Sequence, residues 1–217
     1  MTILKDIALY VPRPLSASRV ELVLENKSRS IMSNICNYLR PRIRTDGYWR
    51  IAIMANGKSK LRHLKSVGGV LYYNVDFDIG FFMSKNVAEQ KEMLLSFILK
   101  TLNHIFLELN LDGSRLNGVG DYVISRDFKN TFKGPKSKRG DISAQTVCIQ
   151  EFEKANVFLT INKGRREIER HYILTTSPNE FIFMSFLEQA IWLSDDKLVL
   201  YASGEEFFFE RQKNSQY

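Results

Sequence analysis

Residues 86–113, NVAEQKEMLLSFILKTLNHIFLELNLDG, carry the most regular pattern in the chain. Apolar side chains recur there every three or four residues, which is the spacing of one face of an α-helix. The repeating residues are Val87, Leu94, Ile98, Leu102, Ile105 and Leu109. Ser84 or Asn86 can cap the start, and Asp112-Gly113 can end the segment. The pattern predicts a helix of about seven turns, which is long enough to span a small domain.

Before this helix, the sequence predicts strands and one further helix. Ile3 to Val11 has the composition of an opening strand, and Tyr48 to Met54 alternates apolar and polar residues as a half-buried strand does. The longest alternation follows Gly68-Gly69. Residues 19–39 have helical spacing, although their first part suits a strand equally well.

After the long helix, residues 129–143 combine chain-breaking residues with several positive charges. Gly134 and Pro135 disfavour regular structure, and the like charges repel one another. This composition predicts a basic loop or linker. The chain then divides into strands plus the long helix at 1–128, the linker, and a C-terminal part at 144–217, unless it forms one continuous domain.

The C-terminal part has the pattern of an antiparallel meander followed by a helix. Strand-forming segments separated by turn signals lie at 145–152, 156–162 and 167–175. Ser177-Pro178-Asn179-Glu180 predicts a helix start, with Pro in the first turn and Glu three residues after Ser. That helix is expected to reach about Leu193. Two closing strands are predicted at 197–202 and 206–209.

The order of elements favours one fold class. Consecutive strands with local hairpin signals are typical of antiparallel sheets rather than of a parallel, doubly wound sheet. The prediction is therefore an α+β fold: antiparallel sheets, with the long central helix and the second C-terminal helix packed on them.

The composition is that of a folded protein with excess positive charge. The 217 residues are 44% hydrophobic and 25% charged, with a net charge of +7. That charge permits an anionic partner, whether nucleic acid, an acidic protein or a membrane surface, and does not choose among them. No segment reaches the roughly 20 apolar residues of a membrane span, and no secretory-signal pattern is present. A cytoplasmic protein without a membrane partner is expected.

Neither a metal site nor a cofactor site is expected. Cys36 and Cys148 both lie in apolar segments, which is typical of buried thiols. His63, His104 and His171 have no metal-ligand spacing to each other or to the cysteines.

Asp76-Phe77-Asp78 is the segment most similar to an enzyme site. Two carboxylates two residues apart on a strand point the same way, and such pairs hold Mg²⁺ against a triphosphate in nucleotidyltransferases and primases. Those enzymes place a longer segment, with a helix, between the glycine signal and the acidic strand. Here only six residues separate Gly68-Gly69 from Asp76, and they have a strand pattern. Such an activity is an alternative, and a solvent-facing strand edge is the first interpretation.

Clusters of positive charge fall at predicted turns and loops, where binding residues often lie. They span residues 58–65, 129–139 and 163–166. The residues predicted to contact a partner are Lys58, Lys60, Arg62, Lys136, Lys138 and Arg139. A nucleic-acid-binding module is a further alternative, but such modules usually interleave aromatic with positive residues. Only Phe128 and Phe132 lie near a cluster.

Several segments between residues 49 and 203 share one layout with a known group of proteins. They are Trp49-Arg50-Ile51-Ala52-Ile53, Asn74 to Ser84, Gln90-Lys91-Glu92, Lys136-Ser137-Lys138, Pro178, Phe186-Leu187 and Trp192. The layout resembles immunity proteins of bacterial polymorphic toxins, including those beside contact-dependent inhibition toxins. The resemblance implies stoichiometric binding to a cognate toxin without catalysis. The net positive charge disfavours a basic nuclease as that toxin.

Overall fold

The computed structural model describes residues 2–12, 19–40, 43–55 and 64–211. The chain divides into two compact units, Met1–Lys129 and Asn130–Tyr217. The first unit mixes helices with strands, whereas the described part of the second consists mainly of strands.

The N-terminal unit contains a mixed β-sheet. The described elements are, in chain order, β1 (Thr2–Ile3), β2 (Asp6–Tyr10), α1 (Arg19–Tyr38), β3 (Arg44–Thr45), β4 (Arg50–Ala55), β5 (Leu64–Val67), β6 (Val70–Val75), α2 (Ile79–Met83), α3 (Val87–Glu108), a 3₁₀ turn (Gly113–Leu116) and α4 (Val119–Ser125). One sheet among them has the order β2-β4-β6-β5. Only its β5–β6 pair is antiparallel, because β2, β4 and β6 run parallel. This differs from the antiparallel pairing expected: α1 supplies the long crossover that a parallel β2–β4 pair requires.

Both helices predicted for this unit are present. The first residues of α1, which suited a strand equally well, are helical. Asn86 caps α3: its side chain accepts a hydrogen bond from the backbone N–H of Glu89 at 3.0 Å, and the Glu89 carboxylate accepts one from the Asn86 N–H at 3.1 Å. This reciprocal pair satisfies two N–H groups that the first helical turn leaves without partners. Leu94, Ile98 and Ile105 on the apolar face of α3 are fully buried.

The C-terminal unit consists of two sheets and a short helix. Its described elements are β7 (Asn130–Arg139), β8 (Ile142–Gln150), β9 (Ala155–Lys163), β10 (Arg166–Thr176), α5 (Glu180–Phe183), a 3₁₀ turn (Met184–Phe186), β11 (Ile191–Trp192), β12 (Lys197–Ala202) and β13 (Glu205–Glu210). Strands β7 to β10 form a four-stranded antiparallel meander, and β11 to β13 form a three-stranded antiparallel sheet. The meander and the two closing strands confirm the sequence prediction.

The inner face of the meander forms the core of this unit. Leu159 and Ile161 of β9 pack with Leu198 of β12, which joins the two sheets. Val157 of β9 packs with Phe183 of α5. Alternate residues of the same strands point to the opposite side. Each sheet therefore has an inward face in the core and an outward face.

Residues 129–143, predicted as a basic loop or linker, instead contribute an edge strand and the start of a hairpin. Strand β7 pairs with β8, with a shift of register between Lys133 and Lys136. Gly134-Pro135 occupies this bulge, where the proline is tolerated because the ladder of hydrogen bonds is interrupted there. The chain-breaking residues therefore mark an irregularity within a strand.

The second C-terminal helix is much shorter than the predicted span from Ser177 to about Leu193. Only the single turn α5 and the following 3₁₀ turn form. Asn179, rather than Ser177, caps α5 by accepting a backbone N–H hydrogen bond at 3.1 Å. Beyond these turns, Ala190 and Trp192 pack in the core between the sheets, and β11 replaces the predicted end of the helix.

The α+β class itself is confirmed. Antiparallel pairs occur in both units, and α3 is the long helix that the sequence predicts. Across the described ranges, none of the helices combines the length and apolar character needed to cross a membrane.

Candidate functional site

Asp76 and Asp78 do not share a strand face. Strand β6 ends at Val75, so both aspartates follow it. Asp78 caps α2, and its carboxylate accepts a hydrogen bond from the backbone N–H of Phe81 at 2.8 Å. Phe77 between them is buried, whereas both aspartates are exposed. The strand geometry that the nucleotidyltransferase alternative requires is therefore missing from this described segment.

Within the described residues, no group of three or more His, Cys, Asp or Glu is arranged to hold a metal ion. Cys148 is buried and Cys36 is half-buried, and the two cysteines do not form a disulfide. Burial, with a smaller contribution from the Glu180 carboxylate, raises the pKa of the Cys148 thiol to about 12. A thiol with this pKa stays protonated at neutral pH and is a poor nucleophile.

The predicted partner-binding residues do not form one site. Outside the described residues lie Lys58, Lys60 and Arg62. Lys136 and Lys138 extend from the outward side of β7, because Ser137 between them faces the core. Arg139 points to the opposite side, where its Nε donates to Asp195 Oδ1 at 2.5 Å.

Lysines line the outward edge of the meander. Lys133 precedes the bulge in β7 and lies on the same side as Lys136 and Lys138. All three side chains are exposed, and in the described chain none of them forms a salt bridge. Their charges are therefore available to an external anion.

Aromatic side chains share this outward side. One row crosses all four strands of the meander: Lys133, Val147, Phe158 and Tyr172. The Tyr172 side chain is 59% exposed, and its ring centre lies 6.0 Å from that of Phe158. The Tyr172 hydroxyl donates to Thr175 Oγ1 at 2.9 Å, which restrains the ring. The exposed Tyr172 ring thus stands edge to face against Phe158, on the same side of the sheet as the lysines.

The neighbouring row is polar and has a cation at each end: Lys136, Gln145, Thr160 and Arg170. Arg170 donates to both carboxylate oxygens of Glu167, at 2.7 and 2.9 Å. These hydrogen bonds raise the pKa of Arg170 above its usual value. The guanidinium also lies 5.1 Å from the ring centre of Phe158. We name this outward side the basic–aromatic face: Lys133, Lys136, Lys138, Phe158, Arg170 and Tyr172.

The outward side of the three-stranded sheet has different chemistry. Its apolar residues are Ile191, Leu193, Val199, Tyr201 and Phe208. All except Val199 are at least 50% exposed, and Phe208 is 65% exposed. Val199 is buried between its cross-strand neighbours Ile191 and Phe208. Two carboxylates of β13 border these residues. We name the set, with Glu206 and Glu210, the apolar–acidic face.

A groove of about 370 Å³ lies on the mixed sheet of the N-terminal unit. It is lined by Tyr10, Val11, Glu25, Arg50, Ala52, Met54, Val70 and Tyr72. The Arg50 guanidinium lies 2.7 Å from the Asp6 carboxylate and donates to the Tyr10 hydroxyl at 3.3 Å. Both terminal nitrogens of Arg50 are therefore engaged within the protein.

Sequence reasoning missed Lys133, Phe158 and Tyr172 on one face and Tyr201 and Phe208 on the other. All except Lys133 lie in segments predicted as strands, so their outward direction could be inferred once the neighbouring core residues were known. Lys133 lies in the segment predicted as a linker. The rows that join these side chains exist only across strands. Strand partners and register depend on contacts distant in the sequence.

Comparisons of the chain with family models, curated proteins and solved structures gave no significant match. The two outward faces of the C-terminal unit are therefore the features from which a function can be inferred.

Proposed function

We propose that this protein is a non-enzymatic, cytoplasmic protein of the immunity type, which binds a cognate toxin and neutralises it. The observation that carries the proposal is the apolar–acidic face, where Tyr201 is 50% and Phe208 65% exposed. Contiguous exposed apolar side chains with a polar border usually mark a protein-binding surface. The layout that resembles immunity proteins supports the same class of function.

The two rings suit the centre of such an interface. Aromatic side chains contribute a large contact area with few rotatable bonds, and tyrosine is common among residues that dominate binding energy. Val199 lies buried between Ile191 and Phe208 on the same face, which makes the apolar residues contiguous. Truncating a central ring in an interface typically weakens binding by about 2 kcal/mol or more.

The border of the face favours a positively charged partner. Glu206 projects opposite Tyr201, whereas Glu210 lies opposite the exposed Lys197 on the same side. A toxin surface with a basic residue beside an apolar recess is therefore complementary to the Glu206 end of the face. Charges act over about 8 Å at physiological salt, and the local carboxylates therefore matter more than the net charge of the chain. A basic toxin fits this face although the whole chain is basic.

The lysines predicted to contact a partner lie outside this interface. Lys136 and Lys138 belong to the basic–aromatic face, and Arg139 is engaged by Asp195. Lysine is also depleted from the centres of protein interfaces. The proposal therefore moves the toxin contact from the basic residues to the three-stranded sheet.

The test is calorimetric titration with the toxin domain encoded beside the gene for this chain, together with growth of cells that produce that toxin. Phe208→Ala and Tyr201→Ala are each expected to weaken binding by about 30-fold or more, because each removes a ring from the interface. Tyr172→Ala is the matched control, since it removes an exposed tyrosine from the other face. This control is expected to bind and protect like the unchanged chain.

Two outcomes would contradict different parts of the proposal. Failure of the unchanged chain to bind the neighbouring toxin, or to protect cells from it, would overturn the immunity function. Full binding by Phe208→Ala and Tyr201→Ala would keep that function and overturn the assignment of the interface.

A further inference from the structure

We propose that the basic–aromatic face binds single-stranded nucleic acid, at a site separate from the one proposed for the toxin. Four cations and two rings are held on one side of the meander. The carboxylate described beside them, that of Glu167, is already engaged by Arg170. The face is therefore positively charged where it meets solvent.

The cations stand at both ends of a polar row that crosses the meander. Lys136 projects from one edge strand and Arg170 from the other, across two central strands. Between them lie Gln145 and Thr160, which are only 9% and 2% exposed. Three strand spacings separate the edges, or about 14 Å. Lys136 and Arg170 therefore flank a strip of the sheet whose width one extended strand of nucleotides can bridge.

The lysines supply the contacts to phosphate. Lys136 and Lys138 are two residues apart on one strand, so their Cα atoms lie about 7 Å apart and both side chains point outward. A line of ammonium groups along one edge can neutralise successive phosphates and release their counterions. Such contacts carry no sequence preference, but they make affinity strongly dependent on salt.

The rings distinguish nucleic acid from other anions. Bases stack on exposed aromatic side chains in proteins that bind single strands, where a positive groove follows the backbone. Tyr172 is held by its hydrogen bond to Thr175 and is therefore oriented before a ligand arrives. Arg170 over Phe158 adds a planar cation beside the stacking site.

An acidic protein and an anionic membrane satisfy less of this face. An acidic protein would pair with the lysines through its carboxylates, but it does not present a regular series of planar rings to stack on Tyr172. A membrane surface favours apolar side chains that insert between lipids, whereas the row that ends at Arg170 is polar. Single-stranded nucleic acid uses both the charges and the rings.

The experiment is fluorescence anisotropy with the full chain and a short fluorescein-labelled oligothymidylate, over a series of salt concentrations. The duplex of the same length, polyglutamate and phosphatidylserine vesicles are the comparison ligands. We expect the single strand to bind best, with log affinity falling linearly against log salt by about 0.7 per phosphate neutralised.

The two kinds of contact should separate in the variants. Tyr172→Ala is expected to weaken binding by about 5- to 100-fold with little change in salt slope, since stacking is not ionic. Tyr172→Phe keeps the ring and should restore binding. Lys133→Gln with Lys136→Gln and Lys138→Gln should reduce the salt slope by about 2. Tyr201→Ala, on the apolar–acidic face, is the matched control and should bind normally.

Several results would overturn the inference. These are no binding of the strand, equal affinity of Tyr172→Ala and the unchanged chain, or tighter binding to polyglutamate, to vesicles or to the duplex. Circular dichroism and the unfolding midpoint verify that each variant is folded. If Tyr172→Ala is unfolded, equal salt slopes for the folded lysine variant and the unchanged chain would still overturn the inference. Loss of toxin binding alone leaves this site intact, because the two faces are probed by different variants.

Discussion

The two outward faces of the C-terminal unit share one core and have opposite chemistry. In the described chain, the basic–aromatic face presents four cations around two rings, whereas the apolar–acidic face presents five apolar residues beside two carboxylates. Strand alternation explains how both can exist, because inward residues build the common core and outward residues are free to differ. A two-sheet unit can therefore carry two unrelated binding surfaces without any change to its interior.

The largest expected effect comes from breaking what the faces share. The Leu198 side chain is fully buried, with 0% solvent exposure, and packs against Leu159 and Ile161. Leu198→Ala should lower the free energy of unfolding by about 2–5 kcal/mol, as buried leucine truncations do. Urea denaturation measures this loss, and both binding activities should decline together on heating. Phe208→Ala, at an exposed position, is the control and should cost much less. Equal losses for the two variants would show that the sheets do not share a core.

A smaller loss of stability, with weaker binding at the basic–aromatic face, is expected from a substitution in the bulge of β7. A Cβ on Gly134 would lie 2.5 Å from the Leu187 carbonyl oxygen and would also collide with Thr146 Oγ1. Gly134→Ala should therefore lower the free energy of unfolding by about 1–3 kcal/mol and displace the bulge in β7. Oligothymidylate binding should weaken while toxin binding is retained below the unfolding transition. Gly113→Ala is the matched control, because a Cβ added there would meet no other part of the structure within 4 Å. Unchanged oligothymidylate binding by a destabilised Gly134→Ala variant would show that the bulge does not position the basic–aromatic face for binding.

Outward substitutions should separate the faces with little change in stability. Tyr201→Ser with Phe208→Ser removes two exposed rings and should reduce retention on a phenyl column. Lys133→Gln, Lys136→Gln and Lys138→Gln should reduce the salt needed to elute the protein from a sulfonate column. Each set should leave the other column unchanged. The lysine set should shift the free energy of unfolding by less than about 0.5 kcal/mol, because those positions are exposed, whereas the ring set should cost about 1 kcal/mol because Phe208 covers Val199. A set that alters both columns would contradict the independence of the two faces.

The smallest effect concerns the layer between the faces. Cys148 on β8 has a pKa of about 12, well above the roughly 8.5 of a thiol in an unfolded chain. Deprotonation therefore favours unfolding, and stability is lost as the pH rises from about 8.5 through 12. At pH 8 the native protein should react with iodoacetamide at Cys36 long before Cys148, as peptide mass spectrometry can measure. Urea should remove the difference. Rapid native labelling of Cys148 would indicate that the core opens readily.

Much of the fold was predictable because its signals are local. The helical spacing of α3 and the turn between β9 and β10 depend on residues close together in the chain. The parallel pairing of β2, β4 and β6 was not predictable, since alternation is the same for either strand direction. For β7, Gly134-Pro135 and the lysines gave a linker composition, although they describe an edge strand with a bulge.

The faces were less predictable than the elements. Lys136 and Lys138 were found from charge alone, and Arg139 was grouped with them although its strand position turns it away. Tyr172 lies far in sequence from the lysines and shares their side of the sheet only through strand pairing. The apolar–acidic face depends on the three-stranded sheet having one uncovered side, which alternation cannot reveal.

The division of the chain at Lys129 also sets the order in which it can fold during synthesis. Each unit is one continuous stretch, so the N-terminal unit is complete before most of the second has been translated. Ribosomes add about 5–20 residues per second, which gives the first unit on the order of several seconds alone. During that interval the mixed sheet can form, and its parallel strands must pair across long separations in the sequence. The hairpins of the meander involve neighbouring segments, so they form quickly and are also synthesised last. The unit expected to fold more slowly is therefore synthesised first.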